Sequence, residues 1–289
     1  MFDRKTLKTR AKFVLARSFF MSFIACLVVT LASSGGIGIG ARQLQALDIS
    51  TMSHIRVAAI FAVIGLLFLA GIAFLLLVSS PLSVGLKYFM LRAADGDTNL
   101  ENLLYPFKNG YKNIVWVMFV KKLYIFLWSL IGFIPIIVAL WKFGLYQKIE
   151  ELVLAMQNDS VSAALSLSAI MVVVSLLTFI FTIPAIIKEL QYSLVEYILA
   201  DDPYMPRSRA IGKSKEMMVG NKWALVKLIF SFTGWYLAAN FTCCIGTLLL
   251  NPYIEATFAQ MYLEISGQGK DYPGFGYNPN NPFGGFNNM

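Results

Sequence analysis

One carboxylate stands apart from the other charges of this chain. Glu255 falls nine residues into the last of several long apolar stretches, with Asn240, Thr242 and Asn251 as its polar neighbours in sequence. At that depth of a spanning helix a carboxylate is costly unless a cation, a donor or water meets it, so the position is a functional candidate. Lys227, on the inner side of the preceding stretch, is the cation the sequence offers, reached by a tilt or through a water path. Pro252 frees a carbonyl one turn earlier and adds an acceptor to the same region. The alternative is that the preceding helix runs on to about Leu250 and Asn251–Glu264 lies in the outer interface, which leaves Glu255 solvated.

Other chemistry is sparse. His54 is the only histidine and lies in a short loop, and there is no H-E-x-x-H, no G-x-S-x-G and no Gly-rich phosphate loop with a lysine. A hydrolase inside a membrane needs a nucleophile with a base in hydrogen-bond reach, and no such pair is visible. Cys26, Cys243 and Cys244 all fall within apolar stretches at spacings that suit neither a zinc site nor a disulfide framework. The chain is therefore expected to be no enzyme and to use no cofactor and no metal.

The elements that must position Glu255 are apolar helices. Six stretches, at about 19–40, 58–80, 117–141, 165–187, 223–244 and 246–265, each supply the ~20 apolar residues that cross a bilayer core. Of the 289 residues 57% are hydrophobic and only 14% charged, and the mean hydropathy is +0.66. A water-soluble chain of this length needs a far more polar surface. The expected fold is all-α: a polytopic transmembrane bundle of six spans with amphipathic interfacial helices on the cytoplasmic side.

Charge sets the orientation. Six cations fall in each of the segments 1–18, 81–122 and 188–222, while the two intervening loops hold Arg42 and Arg56, then Lys142 and Lys148. The positive-inside bias places both ends and both long basic connections in the cytoplasm. The net charge of +8 is accounted for by topology and by anionic lipids of the inner leaflet, so no nucleic-acid partner is expected. The organisation is a basic segment 1–18, a transmembrane domain 19–266 and a tail 267–289. That tail is rich in Gly, Asn, Pro and aromatic residues and is expected to be disordered.

The connections carry their own signals. Pro81 suggests a break in the second helix. The 188–222 connection reads as an apolar-aromatic helix stopped by Asp201-Asp202-Pro203, then a short basic helix from about Ser208 to Met218, ended by Gly220-Asn221. With Ala210, Ile211, Met217 and Met218 among Arg207, Arg209, Lys213 and Lys215, this helix suits the inner interface, its cations on lipid phosphates and its apolar residues inserted. Ser208 is a candidate cap, and Asp201 and Asp202 are candidate partners for the cations. In the fifth stretch Ser231-x-x-Gly234-Trp235 puts small residues at helical spacing, which lets another helix come close. A faint repeat relates Gly110-Tyr111-Lys112 to Gly220-Asn221-Lys222, ahead of the third and fifth stretches.

Several pieces from about 196 to 262 occur together in order. They are Asp201-Asp202-Pro203, the run Ala210 to Gly220, Ser231-Phe232-Thr233-Gly234-Trp235, Thr242-Cys243-Cys244-Ile245-Gly246, Pro252-Tyr253 and Tyr262. On these the chain resembles an uncharacterised bacterial integral membrane family known as domain of unknown function 975. Phe230, Thr233 and Cys244 depart from its pattern. The resemblance implies a multi-pass plasma-membrane protein and supplies no catalytic residues. The expected role is a non-catalytic membrane module acting through lipid or protein contacts, as a homo-oligomer or beside another membrane protein. The alternative is a transporter or channel component with a polar site at Glu255.

Overall fold

The computed structural model describes residues 2–34, 54–142, 161–241 and 245–268. Among them the secondary structure is helical throughout, with no strand. Four helical stretches are long and apolar enough to cross a membrane: Arg4–Ser33, Ala62–Ala94, Tyr111–Val138 and Met171–Asp201. The fifth and sixth apolar stretches also form helices, α10 (Lys222–Asn240) and α11 (Ile245–Ser266). Trp223, Lys227 and Tyr236 on the one and Asn251, Glu255, Gln260 and Glu264 on the other hold their hydropathy lower. The residues group into two compact units, one formed by Met1–Phe119 with Leu194–Met289 and the other by Val120–Ser193.

In the first unit α1 (Arg4–Ser34) is a single helix of 31 residues, about 46 Å long. Asp3 caps it by accepting from the backbone N–H groups of Lys5 and Thr6. Phe2, Leu7, Ala11 and Val14 are buried, so the basic segment 1–18 is packed into this unit rather than standing as a separate arm. α1 runs against α11 and against α3 (Ser80–Ala94), and α10 packs on α11.

α3 continues from α2 (His54–Phe74) through a π-helical turn at Leu75–Ser79. The helix is not broken at Pro81 as the sequence suggested. A helical proline has no N–H to give to the carbonyl four residues back, here Leu77, and its ring crowds that oxygen. The wider turn absorbs the clash, with the Ser80 N–H donating to the Leu75 carbonyl. The orphaned Leu77 carbonyl accepts instead from the Tyr111 hydroxyl at 2.9 Å.

Eleven of the fifteen residues of α3 are buried. It lies so close to the 3-10 turn Leu100–Leu104 that a Cβ added at Gly85 would sit 2.0 Å from the Leu103 carbonyl oxygen. After the short α4 (Tyr105–Lys108), Gly110 takes a φ of +64° beside Pro203, a position that only glycine fills without strain. α5 (Tyr111–Ser129) starts there, and Asn113 donates to the carbonyls of Pro203 and Met205. α8 (Val195–Asp201) packs on α3 and ends at Asp202. α9 (Arg207–Met217) follows, and Gly220, at φ +77°, turns the chain into α10. A left-handed glycine therefore stands ahead of both α5 and α10.

The second unit holds the end of α5, a 3-10 turn at Leu130–Phe133, α6 (Ile134–Lys142) and α7 (Val161–Gln191). Gly132 admits Thr182 at close range, since a Cβ there would meet the threonine hydroxyl at 2.7 Å. Lys188 lies 4.7 Å over the Trp128 ring. Much of α7 is apolar and exposed, including Val172, Leu176 and Phe179.

Candidate functional site

Within the first unit the structure gives Glu255 a cation, and it is Lys87. Lys87 is the only charged residue in the buried stretch of α3 from Ser80 to Leu91, and its Nζ donates to Glu255 Oε2 on α11. The side chains are 13% and 23% exposed, so the pair is largely withdrawn from the surroundings. Separating two such charges leaves each without compensation, which is why losing one partner of a buried pair costs about 3–5 kcal/mol.

Aromatic rings extend the pair. Lys87 Nζ lies 5.4 Å from the centre of the Tyr197 ring on α8, and that ring stacks on Tyr262 of α11 at 5.2 Å. The Tyr262 hydroxyl donates to Asp201 Oδ2 at 2.7 Å, and Gln268 Nε2 donates to the same oxygen at 2.9 Å. The buried Tyr197 hydroxyl has no hydrogen-bond partner among the described residues. Cys26 of α1, itself buried, lies within electrostatic reach of both charges. Four helices thus converge on one charged pair.

Of the residues picked out from the sequence, Lys227 does not meet Glu255. It is exposed on α10, and its carbonyl accepts from Arg4 at 3.5 Å. Lys87 takes its place because the packing of α3 on α11 brings together groups 168 residues apart. Asn251 is half-buried one turn before Glu255 on α11, and Asn240 closes α10. Thr242, Cys243, Cys244 and the tail from 269 lie outside the described residues.

On the Ser231-Gly234-Trp235 face a Cβ at Gly234 would meet no described atom within 4 Å, and Trp235 is 61% exposed. α10 packs instead through Ala224, Leu225, Leu228 and Phe232, a stripe turned away from Gly234. Ser231 still takes part: its carbonyl accepts from Lys8, whose Nζ lies 4.3 Å over the Phe232 ring. Close approach occurs at Gly85, against the Leu103 backbone, and at Gly132, against Thr182.

On α9 the cations and the apolar residues meet different surroundings. Arg207, Arg209 and Lys215 are exposed and Lys213 is half-buried. Ala210, Ile211 and Met218 are buried within the protein, so they are not available for insertion into lipid. Pro206 occupies the cap position in place of Ser208, and no side chain caps the helix. Asp201 accepts from Tyr262 and Gln268, and Asp202 from the Tyr204 N–H.

Together these features describe a helical protein that has, among its described residues, four helices long and apolar enough to cross a membrane and a charged pair held inside its first unit. The chain belongs to the family described as "Protein of unknown function (DUF975)", whose model matches residues 1–269. The match takes in the first half of the chain as well as the pieces between about 196 and 262. No curated protein and no solved structure matches the chain.

Proposed function

We propose that this protein is a non-catalytic module of the bacterial plasma membrane that acts by holding lipid or protein partners. In this reading α10 and α11, about 28 and 33 Å long, complete six spans. Both ends then lie in the cytoplasm, where the basic connections meet anionic lipid. The observation that favours it is the pairing of Lys87 with Glu255: the core charges neutralise each other, while the cations of α9 face outward. An accessory, assembly or envelope-homeostasis role fits a protein whose outward chemistry is contact.

The second reading is a transporter or channel component with its polar site at Glu255. It is favoured by the unpartnered Tyr197 hydroxyl beside Lys87, a polar group left over in the core. Flux through pure protein in proteoliposomes separates the two. The module reading expects no ion or small-molecule flux above protein-free vesicles. Flux abolished by Glu255→Gln overturns it in favour of transport.

A further inference from the structure

Along α9 runs an open groove lined by Ser208, Arg209, Gly212, Lys213 and Glu216. Ser208, Gly212 and Glu216 follow one another a turn apart, and Arg209 and Lys213 form the adjoining row. Gly212 faces open space at its middle, since a Cβ there would meet nothing within 4 Å. Its lining combines two cations, one hydroxyl and one carboxylate. A simple phosphate uses the first three and is repelled by the fourth. A phosphodiester that carries hydroxyl groups beyond the phosphate uses all four, because Glu216 accepts from those hydroxyls.

The surroundings point to where such a group comes from. The apolar face of α9 is docked on its own protein, so α9 meets a partner through its polar face alone. Tyr204 before the helix and Val219 and Trp223 after it are each at least 69% exposed, and exposed aromatic rings mark a membrane–water boundary. Trp223 opens α10, whose outward residues then turn apolar at Phe230 and Leu237. The groove therefore lies in the chain just ahead of the helix that carries an apolar exterior, where headgroups begin.

We propose that the α9 groove is a headgroup seat for an anionic glycerophospholipid with free hydroxyls. Arg209, Lys213 and Ser208 take the phosphate, Gly212 provides the room and Glu216 takes the hydroxyls. This rests on the module reading, and it replaces acyl insertion by α9 with recognition in the headgroup plane.

The test uses full-length protein in detergent, its thermal midpoint followed as phosphatidylglycerol, phosphatidic acid or phosphatidylcholine is added at low and high salt. Phosphatidylglycerol is expected to raise the midpoint most and phosphatidylcholine least, with the difference shrinking at high salt. Arg209→Gln with Lys213→Gln should weaken apparent affinity for both anionic lipids, by about fivefold per cation removed. Gly212→Leu fills the groove without changing charge or straining the helix, and should make the two anionic lipids equivalent. Equal response to phosphatidylglycerol and phosphatidylcholine overturns the seat, as does an equal shift with soluble glycerol phosphate. Equivalence of the two anionic lipids on the unaltered protein overturns the role of Glu216. Flux in proteoliposomes is read separately, so a failed module reading and a failed seat are told apart.

Discussion

α2 and α3 form one continuous helical rod, yet its two halves face different surroundings. In α2 the side chains of Val63, Leu66, Leu67, Phe68 and Leu69 are all more than half exposed. In α3 most residues are buried, including Ser80, and the half-buried Lys87 is held inside by Glu255. The more apolar half is thus the exposed one. In water this would be an inverted protein. For a helix that crosses a bilayer, as α2 is fit to do, it is the expected order, because lipid accepts apolar surface without penalty. The π turn between the halves marks the change, and Tyr111 ties it down.

The sharpest way to break this comparison is to remove one charge of the pair. Lys87→Met is expected to destabilise the protein by about 3–5 kcal/mol, read as a drop in thermal midpoint in detergent. Lys87→Met with Glu255→Leu should recover most of the loss, because a buried pair exchanged for apolar groups is often neutral. If the double variant is no better than the single, the cost is packing rather than charge.

Next comes steric room. Gly85→Ala in α3 places a methyl against the Leu103 backbone and should cost about 3 kcal/mol. Gly65→Ala in α2 meets open space and should stabilise by up to about 1 kcal/mol through helix propensity. Equal effects at the two glycines would erase the distinction between the halves.

Tyr111→Phe tests the junction. It leaves the Leu77 carbonyl without its donor and should cost about 1–2 kcal/mol, seen as a lower midpoint and faster amide exchange around Leu75–Ser79. The smallest effect lies at the turn that ends α3. Hydrogen bonds from Asn102 and the Asn99 N–H hold the Asp97 carboxyl below the usual carboxylate range, whereas partial burial raises that of Asp95. A depressed carboxylate contributes stability above its unfolded pKa near 4 and loses it as pH falls through the folded value. Asp97→Asn should therefore flatten acid sensitivity slightly below about pH 4, by well under 1 kcal/mol because the group is exposed.

Much of the fold was legible because its signals are local. Stretches of apolar residues mark helices whatever surrounds them, and the stops at Asp201-Asp202-Pro203 and Gly220 depend on neighbouring backbone alone. The candidate site was legible only in part. A carboxylate in an apolar helix announces that it needs a partner, so Glu255 could be found. Its partner could not, because Lys87 lies 168 residues away and no spacing rule links the two. Lys227 was the cation of the neighbouring apolar stretch, and closeness along the chain is a poor guide between helices. Small residues permit close approach without saying where a neighbour comes: the Leu103 backbone uses the room at Gly85, whereas no described atom uses it at Gly234.

The helical class, the apolar stretches, the alternation of charge along the chain and a carboxylate in need of a partner are all written in the order of the residues. The tertiary structure decided that Lys87 answers Glu255, that Tyr197 stacks on Tyr262 beside them, and that α9 turns its apolar face inward and its cations out. The division has a physical cause. Helix formation and transfer into lipid act residue by residue along a segment, whereas charge pairing and close packing act between surfaces that only the folded chain brings together.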